Sequence, residues 1–237
     1  MHSVFLHTLY VLSGICIYAG VHHAFIAWRK PLDRTNLWFT LMCFSIALYV
    51  IAKAGAYESG SAEMLVARRR WELSFALVFF VAFVWFVREY TSRRSPWLPA
   101  ALSLLMVAVL MANLLLPYGV GFIRLPDFSM LNLPWGEQVA NLRVPQDQRG
   151  IWYQIGWLGM LLVFAYSLYA SWRQYRRGER RRALILATGV AVFLALFMVN
   201  RLVNDGLIAF THTAEFGFLA LLLVMNQSLA YDERKFE

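Results

Sequence analysis

Seven stretches of the chain are almost continuously apolar: 3–28, 36–57, 71–90, 97–117, 151–173, 183–204 and 209–231. A helix needs about 20 mostly apolar residues to cross a bilayer core, so each stretch predicts one spanning helix. Pro31, Pro96, Pro99, Pro117, Pro126, Pro134 and Pro145 fall between the stretches or at their ends, where a missing N–H costs least. Most connections are short, which predicts antiparallel neighbours, and seven crossings put the termini on opposite sides. The pattern therefore predicts an all-α integral membrane protein: one domain, 1–237, folded as a seven-transmembrane-helix bundle. The long connection is 118–150. It alternates weakly through Phe122-Ile123-Arg124-Leu125, and Pro134-Trp135-Gly136-Glu137 reads as a turn. A small hairpin or flap over the bundle mouth fits this pattern, and so does an irregular loop on the membrane surface.

Composition agrees with the pattern. Hydrophobic residues make up 60% of the chain and charged residues 15%, against about 45–50% and about 25% in soluble domains. Disorder is excluded, because it needs low hydrophobicity. A disulfide scaffold is excluded too, since the two cysteines, Cys16 and Cys43, sit inside apolar stretches. The net charge of +8 comes from basic residues flanking the apolar stretches, so it reports membrane orientation and no nucleic-acid partner is expected. With the C-terminus in the cytoplasm, 14 of the 22 Lys and Arg lie inside, six of them in 173–182. The expected topology is N-terminus extracytoplasmic, C-terminus cytoplasmic. The run Arg68–Arg70 on the outer side votes against it. Residues 1–5 hold no Lys or Arg, while Arg29-Lys30 follow the first stretch. That stretch reads as a retained helix and not a cleaved signal peptide.

Ionisable residues within a membrane are costly and face the bundle interior. Here they gather at the outer depth: His7, Lys53, Glu58, Glu72, Asn113, Asn200, Arg201, Asn204, Asp205, His212 and Glu215. Asn200 and Asn204 share one helix face, as do His212 and Glu215. With Trp152 nearby, Lys53, Glu72, Arg201, Asn204, Asp205, His212 and Glu215 are candidate ligand-binding residues of a mostly apolar pocket. The competing reading is structural: Lys53 pairs with Glu72 or Glu215, and Arg201 with Asp205, only to make burial tolerable. Lys53 and Arg201 would suit an acidic head group, and the aromatic surroundings favour a small amphipathic or lipid-like ligand. His22-His23 point about 100° apart, which disfavours a shared metal; Asn226 or Gln227 could bond one of them. No catalytic residue, cofactor or metal is expected. A redox or metal enzyme using His7, His212 and Glu215, or a small-molecule transporter, are the alternatives. A retinal protein is excluded, because 209–231 holds no Lys for a Schiff base.

Three stretches carry a resemblance. They are Tyr18 to Arg34 (YAGVHHAFIAWRKPLDR), Leu116-Pro117-Tyr118-Gly119 with Leu133-Pro134-Trp135-Gly136-Glu137, and Asn204-Asp205-Gly206-Leu207-Ile208 followed by Ala214-Glu215-Phe216-Gly217-Phe218-Leu219-Ala220-Leu221. Together they resemble the N-terminal seven-helix sensor modules of bacterial membrane-bound signalling proteins. In those proteins the module precedes PAS, histidine-kinase or diguanylate-cyclase domains. The resemblance implies a non-catalytic sensor of the bacterial inner membrane. It detects an extracytoplasmic or membrane-dissolved ligand and signals through helix 7 to a cytoplasmic domain in cis. It also implies a homodimer, for which Ala52-x-x-x-Ala56 or Gly20-x-x-x-Ala24 offers a close-packing face. No phosphoacceptor, nucleotide-binding or cyclase motif occurs before residue 237, and 229–237 reads as helix 7 continuing into the cytoplasm, the ending expected of a truncated chain.

Overall fold

The computed structural model describes residues 4–30, 34–92, 95–133, 136–143, 150–204 and 213–233. These form seven helices and one two-stranded hairpin: α1 Val4–Arg29, α2 Arg34–Tyr57, α3 Ala62–Tyr90, α4 Trp97–Leu115, β1 Asp127–Asn132, β2 Gln138–Arg143, α5 Ile151–Arg176, α6 Arg180–Asn204 and α7 Ala214–Glu233. Helices α1 to α6 are each long and apolar enough to cross a membrane; α7 carries a shorter apolar stretch, Ala214–Leu229. Helices adjacent in sequence pack side by side, α7 closes the ring against α1, and α3 touches α2, α4 and α5. Helices α1, α3, α5 and α7 start at the end where the hairpin sits, and α2, α4 and α6 finish there.

Helix α3 is the longest element. Its 29 residues reach about 43 Å at 1.5 Å per residue, more than the roughly 30 Å of a bilayer core. It begins well before the apolar stretch at 71, because Ser61 caps it by accepting the Met64 N–H at 3.3 Å and Glu63 meets the positive end of its dipole. The basic run is therefore helical, and its three side chains fan out about 100° apart. Arg68 lies over Gly55, where a Cβ would stand 2.0 Å from its Nη1. Arg69 chelates Glu72, and Arg70 reaches the carbonyls of Leu116 and Pro117 just past α4.

The 118–150 connection contains the hairpin, with β1 and β2 antiparallel and Phe128 opposite Leu142, Met130 opposite Ala140. The strands lie beyond Phe122–Leu125, where alternation was weakly visible; the turn expected at Pro134-Trp135-Gly136-Glu137 falls between them, with Gly136 at φ +88° and its N–H donating to the Leu133 carbonyl at 2.9 Å, while Pro134 and Trp135 lie outside the described residues. Strand β2 packs on α2 and α3, burying Val139 and Ala140. Glu137 Oε1 accepts the Val4 N–H at 2.8 Å. That carboxylate satisfies one of the four N–H groups a helix start leaves open and ties the hairpin to α1.

The core is aromatic. Phe79, Phe80 and Phe83 of α3 meet Phe164 of α5, Phe193 and Phe197 of α6 and Phe218 of α7, with Phe193 and Phe218 centroids 4.6 Å apart. Three of the small residues offered for contact with a second copy, Gly20, Ala52 and Ala56, pack inside the chain. Ala52 is buried, Ala56 packs with Leu65 and Ala140, and Gly20 is pressed against Cys43 and Phe44 of α2. Helix–helix contact in lipid rewards close backbone approach, and here intramolecular neighbours take it.

Candidate functional site

At the hairpin end the helices bring two cations and two carboxylates together. Lys53 on α2 donates from Nζ to Glu215 Oε2 of α7 at 2.8 Å and to the Tyr49 hydroxyl at 3.2 Å, and its Nζ lies 3.8 Å from Glu72 of α3. Arg69 reaches both oxygens of Glu72 from one Nη1, each at 3.0 Å. Lys53 is 1% exposed and Glu215 likewise. Burying such charges is tolerable only when they are paired and bonded, and the cluster balances: two positive, two negative. Tyr49 and Tyr57 place their rings 5.5 and 6.0 Å from Lys53 Nζ, adding a soft negative surface. Among the described residues no donor reaches Glu215 Oε1.

A cavity of about 180 Å³ opens beside this cluster, room for several waters. Its floor is apolar: Leu73, Ala76, Phe80, Trp157, Met160, Phe197 and Phe218. Its rim is polar, formed by Tyr49, Arg69, Arg70, Glu72, Asn113, Tyr118 and Asn200. Gly121 and Phe122, in the segment leading into the hairpin, also line the cavity. Asn113 holds that segment. It donates to the Arg70 carbonyl and the Ser74 hydroxyl, both at 3.0 Å, and its Oδ1 accepts the Val120 N–H at 3.2 Å. Gly119 sits at φ +69°, and a Cβ there would stand 2.7 Å from Asn113 Oδ1, so this turn requires glycine.

The candidate residues divide. Lys53, Glu72 and Glu215 meet in the ion cluster, Glu72 also lines the cavity, and the two pairings left open for Lys53 both occur. Arg201 stands apart. It donates to the Tyr153 hydroxyl at 2.8 Å and lies 5.0 Å over the Trp157 ring. Trp152 packs half-buried against the core, and the tryptophan on the cavity wall is Trp157. Asp205 and His212, and the side chain of Asn204, lie outside the described residues. Arg69, Arg70, Tyr49 and Trp157 were not among the candidates. The Arg69-x-x-Glu72 spacing could have revealed the first, had the run Arg68–Arg70 been weighed as helix and not only as a vote on orientation.

The opposite end holds a second polar set. His23 on α1 is buried, its Nδ1 2.6 Å from Asn36 Oδ1 of α2 and its Nε2 2.7 Å from Asn226 Oδ1 of α7. The expected bond to Asn226 is thus present, and His22 lies exposed. The Tyr90 hydroxyl of α3 is 2.6 Å from Ser228 Oγ of α7. Among the described residues no three His, Cys, Asp or Glu converge as a metal set.

Membrane-length helices closed into a ring, with a cavity beside a buried ion cluster, define a multi-pass helical membrane protein. Residues 6–232, nearly the whole chain, match the 7TM diverse intracellular signalling family, and the chain belongs to it. The resemblance to seven-transmembrane sensor modules of signalling proteins is thereby borne out. No curated protein matches the chain.

Proposed function

We propose that this domain is the ligand-sensing input module of a membrane signalling protein in a bacterial inner membrane. In this reading the hairpin end is extracytoplasmic, the cavity takes a small amphipathic ligand, and α7 carries the response to a cytoplasmic output domain in cis. The module itself performs no catalysis and works as a homodimer, the usual arrangement where output domains act in pairs.

The observation that carries the reading is where α7 is held. Ala214 and Phe218 line the cavity and Glu215 belongs to the ion cluster. Two to three turns further on, Asn226 and Ser228 are tied to α1 and α3. A ligand that prefers one position of Phe218 and Glu215 shifts the population of α7 positions, and a continuous helix delivers that shift to its far end.

The test is a chimera in which residues 1–237 replace the input domain of a histidine kinase. Inserting one to four residues after Tyr231 rotates the joint by about 100° each, so kinase activity should rise and fall with helical phase. A flat response across the four insertions would remove α7 as the signal path.

A further inference from the structure

We infer that the cavity binds an anionic amphiphile that enters sideways from the hairpin-side leaflet, between α3 and α4, and leaves its charged head at Arg70. This rests on the sensor reading above and adds the ligand's charge and its route.

The first observation is charge. Among the described residues three charged side chains line the cavity, Arg69, Arg70 and Glu72. Arg69 and Glu72 neutralise each other. Among the described residues no carboxylate lies within ion-pair distance of Arg70, and no acceptor reaches its buried Nε. Its Nη2 is spent on the Leu116 and Pro117 carbonyls, which fixes the guanidinium at the cavity rim. A buried donor without an acceptor is costly, and a carboxylate or phosphate oxygen would remove that cost.

The second observation is a doorway. A groove of about 320 Å³ runs over the outside of α3 and α4, lined by Glu63, Ala67, Trp71, Leu114, Pro117 and Leu125. It shares Val66, Arg70 and Tyr118 with the inner cavity. Trp71 is 53% exposed, the placement of an interfacial tryptophan at head-group depth. From Arg70 to Phe80, also on the cavity wall, α3 rises about 15 Å. The site thus offers a cation at the interface and an apolar slot leading inward, the shape of a single-chain anionic amphiphile. Both a free fatty acid and an anionic phospholipid present that chemistry.

The test uses the whole domain in phosphatidylcholine nanodiscs at alkaline pH, titrated with ω-bromoundecanoate. Bromine quenches tryptophan on contact, and the signal of interest is quenching present in the unmodified protein and absent in Trp157→Phe. Saturable quenching is expected, with the neutral ω-bromoundecanol weaker by about tenfold or more, the scale of one lost charge-assisted contact. Arg70→Gln should abolish the preference, bringing acid and alcohol to equal affinity, and an unchanged helical circular-dichroism spectrum with monodisperse elution checks that this variant is folded. Ala67→Trp, which fills the groove and leaves the cavity intact, should slow association at least about tenfold. Equal affinity of acid and alcohol for the unmodified protein would overturn the anionic ligand while leaving the sensing cavity standing. Quenching of Trp157 by neither would overturn both. An unchanged association rate in Ala67→Trp would overturn the sideways route. Nanodiscs of phosphatidylglycerol with brominated acyl chains separate the sources: quenching by that bilayer alone assigns a phospholipid, and quenching only by added acid assigns a free amphiphile.

Discussion

At the residue scale, the ion cluster behaves as a unit with a fixed charge balance. Removing Lys53 leaves Glu215 and Glu72 sharing one cation, Arg69, and takes from Glu215 Oε2 its ammonium donor. Breaking a buried pair in this way costs about 3–5 kcal/mol. Glu215→Leu is expected to cost less, because Lys53 keeps Glu72 within 3.8 Å. The double variant Lys53→Met with Glu215→Leu leaves Arg69 and Glu72 balanced and should recover most of the stability. Denaturant unfolding in mild detergent measures all three; a double variant no better than the sum of the singles would show that the two residues are not coupled. The Lys53 pairings were legible because a Lys in an apolar helix must find a carboxylate, and only a few lay at its depth. Arg70 and Trp157 were not legible. A cation's role at a cavity rim depends on which neighbours are already engaged, and no linear pattern reports that. Trp152 and Trp157 sit in one apolar run, and only the packing of α5 on α6 decides which of them meets Phe197.

At the element scale, helix α7 is seated by a glycine. A Cβ on Gly217 would stand 2.8 Å from the Phe193 ring and 3.3 Å from Leu196 Cβ, so α6 and α7 can approach this closely only because position 217 has no side chain. Gly189 on α6 faces the tip of Leu221 at 3.1 Å, a flexible neighbour that can give way. Alanine improves a helix interior by up to about 1 kcal/mol, whereas overpacking costs about 1–3 kcal/mol. Gly217→Ala should therefore lower the melting temperature and Gly189→Ala should hold or raise it. The reverse order would mean that α7 does not sit tightly on α6. Apolar length alone located α1 to α6, because lipid demands long apolar runs; in α7 the apolar stretch among the described residues, Ala214–Leu229, is shorter than the expected 209–231. Apolar length could not locate the start of α3, where a serine cap and the ion-paired arginines sustain a polar helical turn. The hairpin was half visible: its turn signal was in place, but its strands are too short and too polar for alternation to mark their ends.

At the scale of the whole molecule, orientation decides which side the cavity serves. The positive-inside rule weighs basic residues beside spanning segments, and the structure changes how they should be weighed. Lys53 and Arg69, both at the hairpin end, are neutralised by buried carboxylates, and Arg70 is engaged with the end of α4. Three of the basic residues that argued against a hairpin-outside topology are thus structural, and they would sit at that depth whichever way the protein inserts. Arg173, Arg176, Arg177, Arg180 and Arg181 remain exposed at the other end, so the contrast between the ends sharpens. Cysteine labelling in intact bacteria checks it with little background, since the native Cys16 and Cys43 are both buried. Ile123, 55% exposed beside the hairpin, and Arg177, in the turn between α5 and α6, are suitable positions. Ile123→Cys should react with a membrane-impermeant maleimide in intact cells. Arg177→Cys should react only after the inner membrane is permeabilised. Labelling of Arg177→Cys in intact cells, with Ile123→Cys protected, would turn the molecule over. The cavity and its lateral groove would then face the cytoplasmic leaflet, and α7 would end on the wrong side to reach a cytoplasmic output domain.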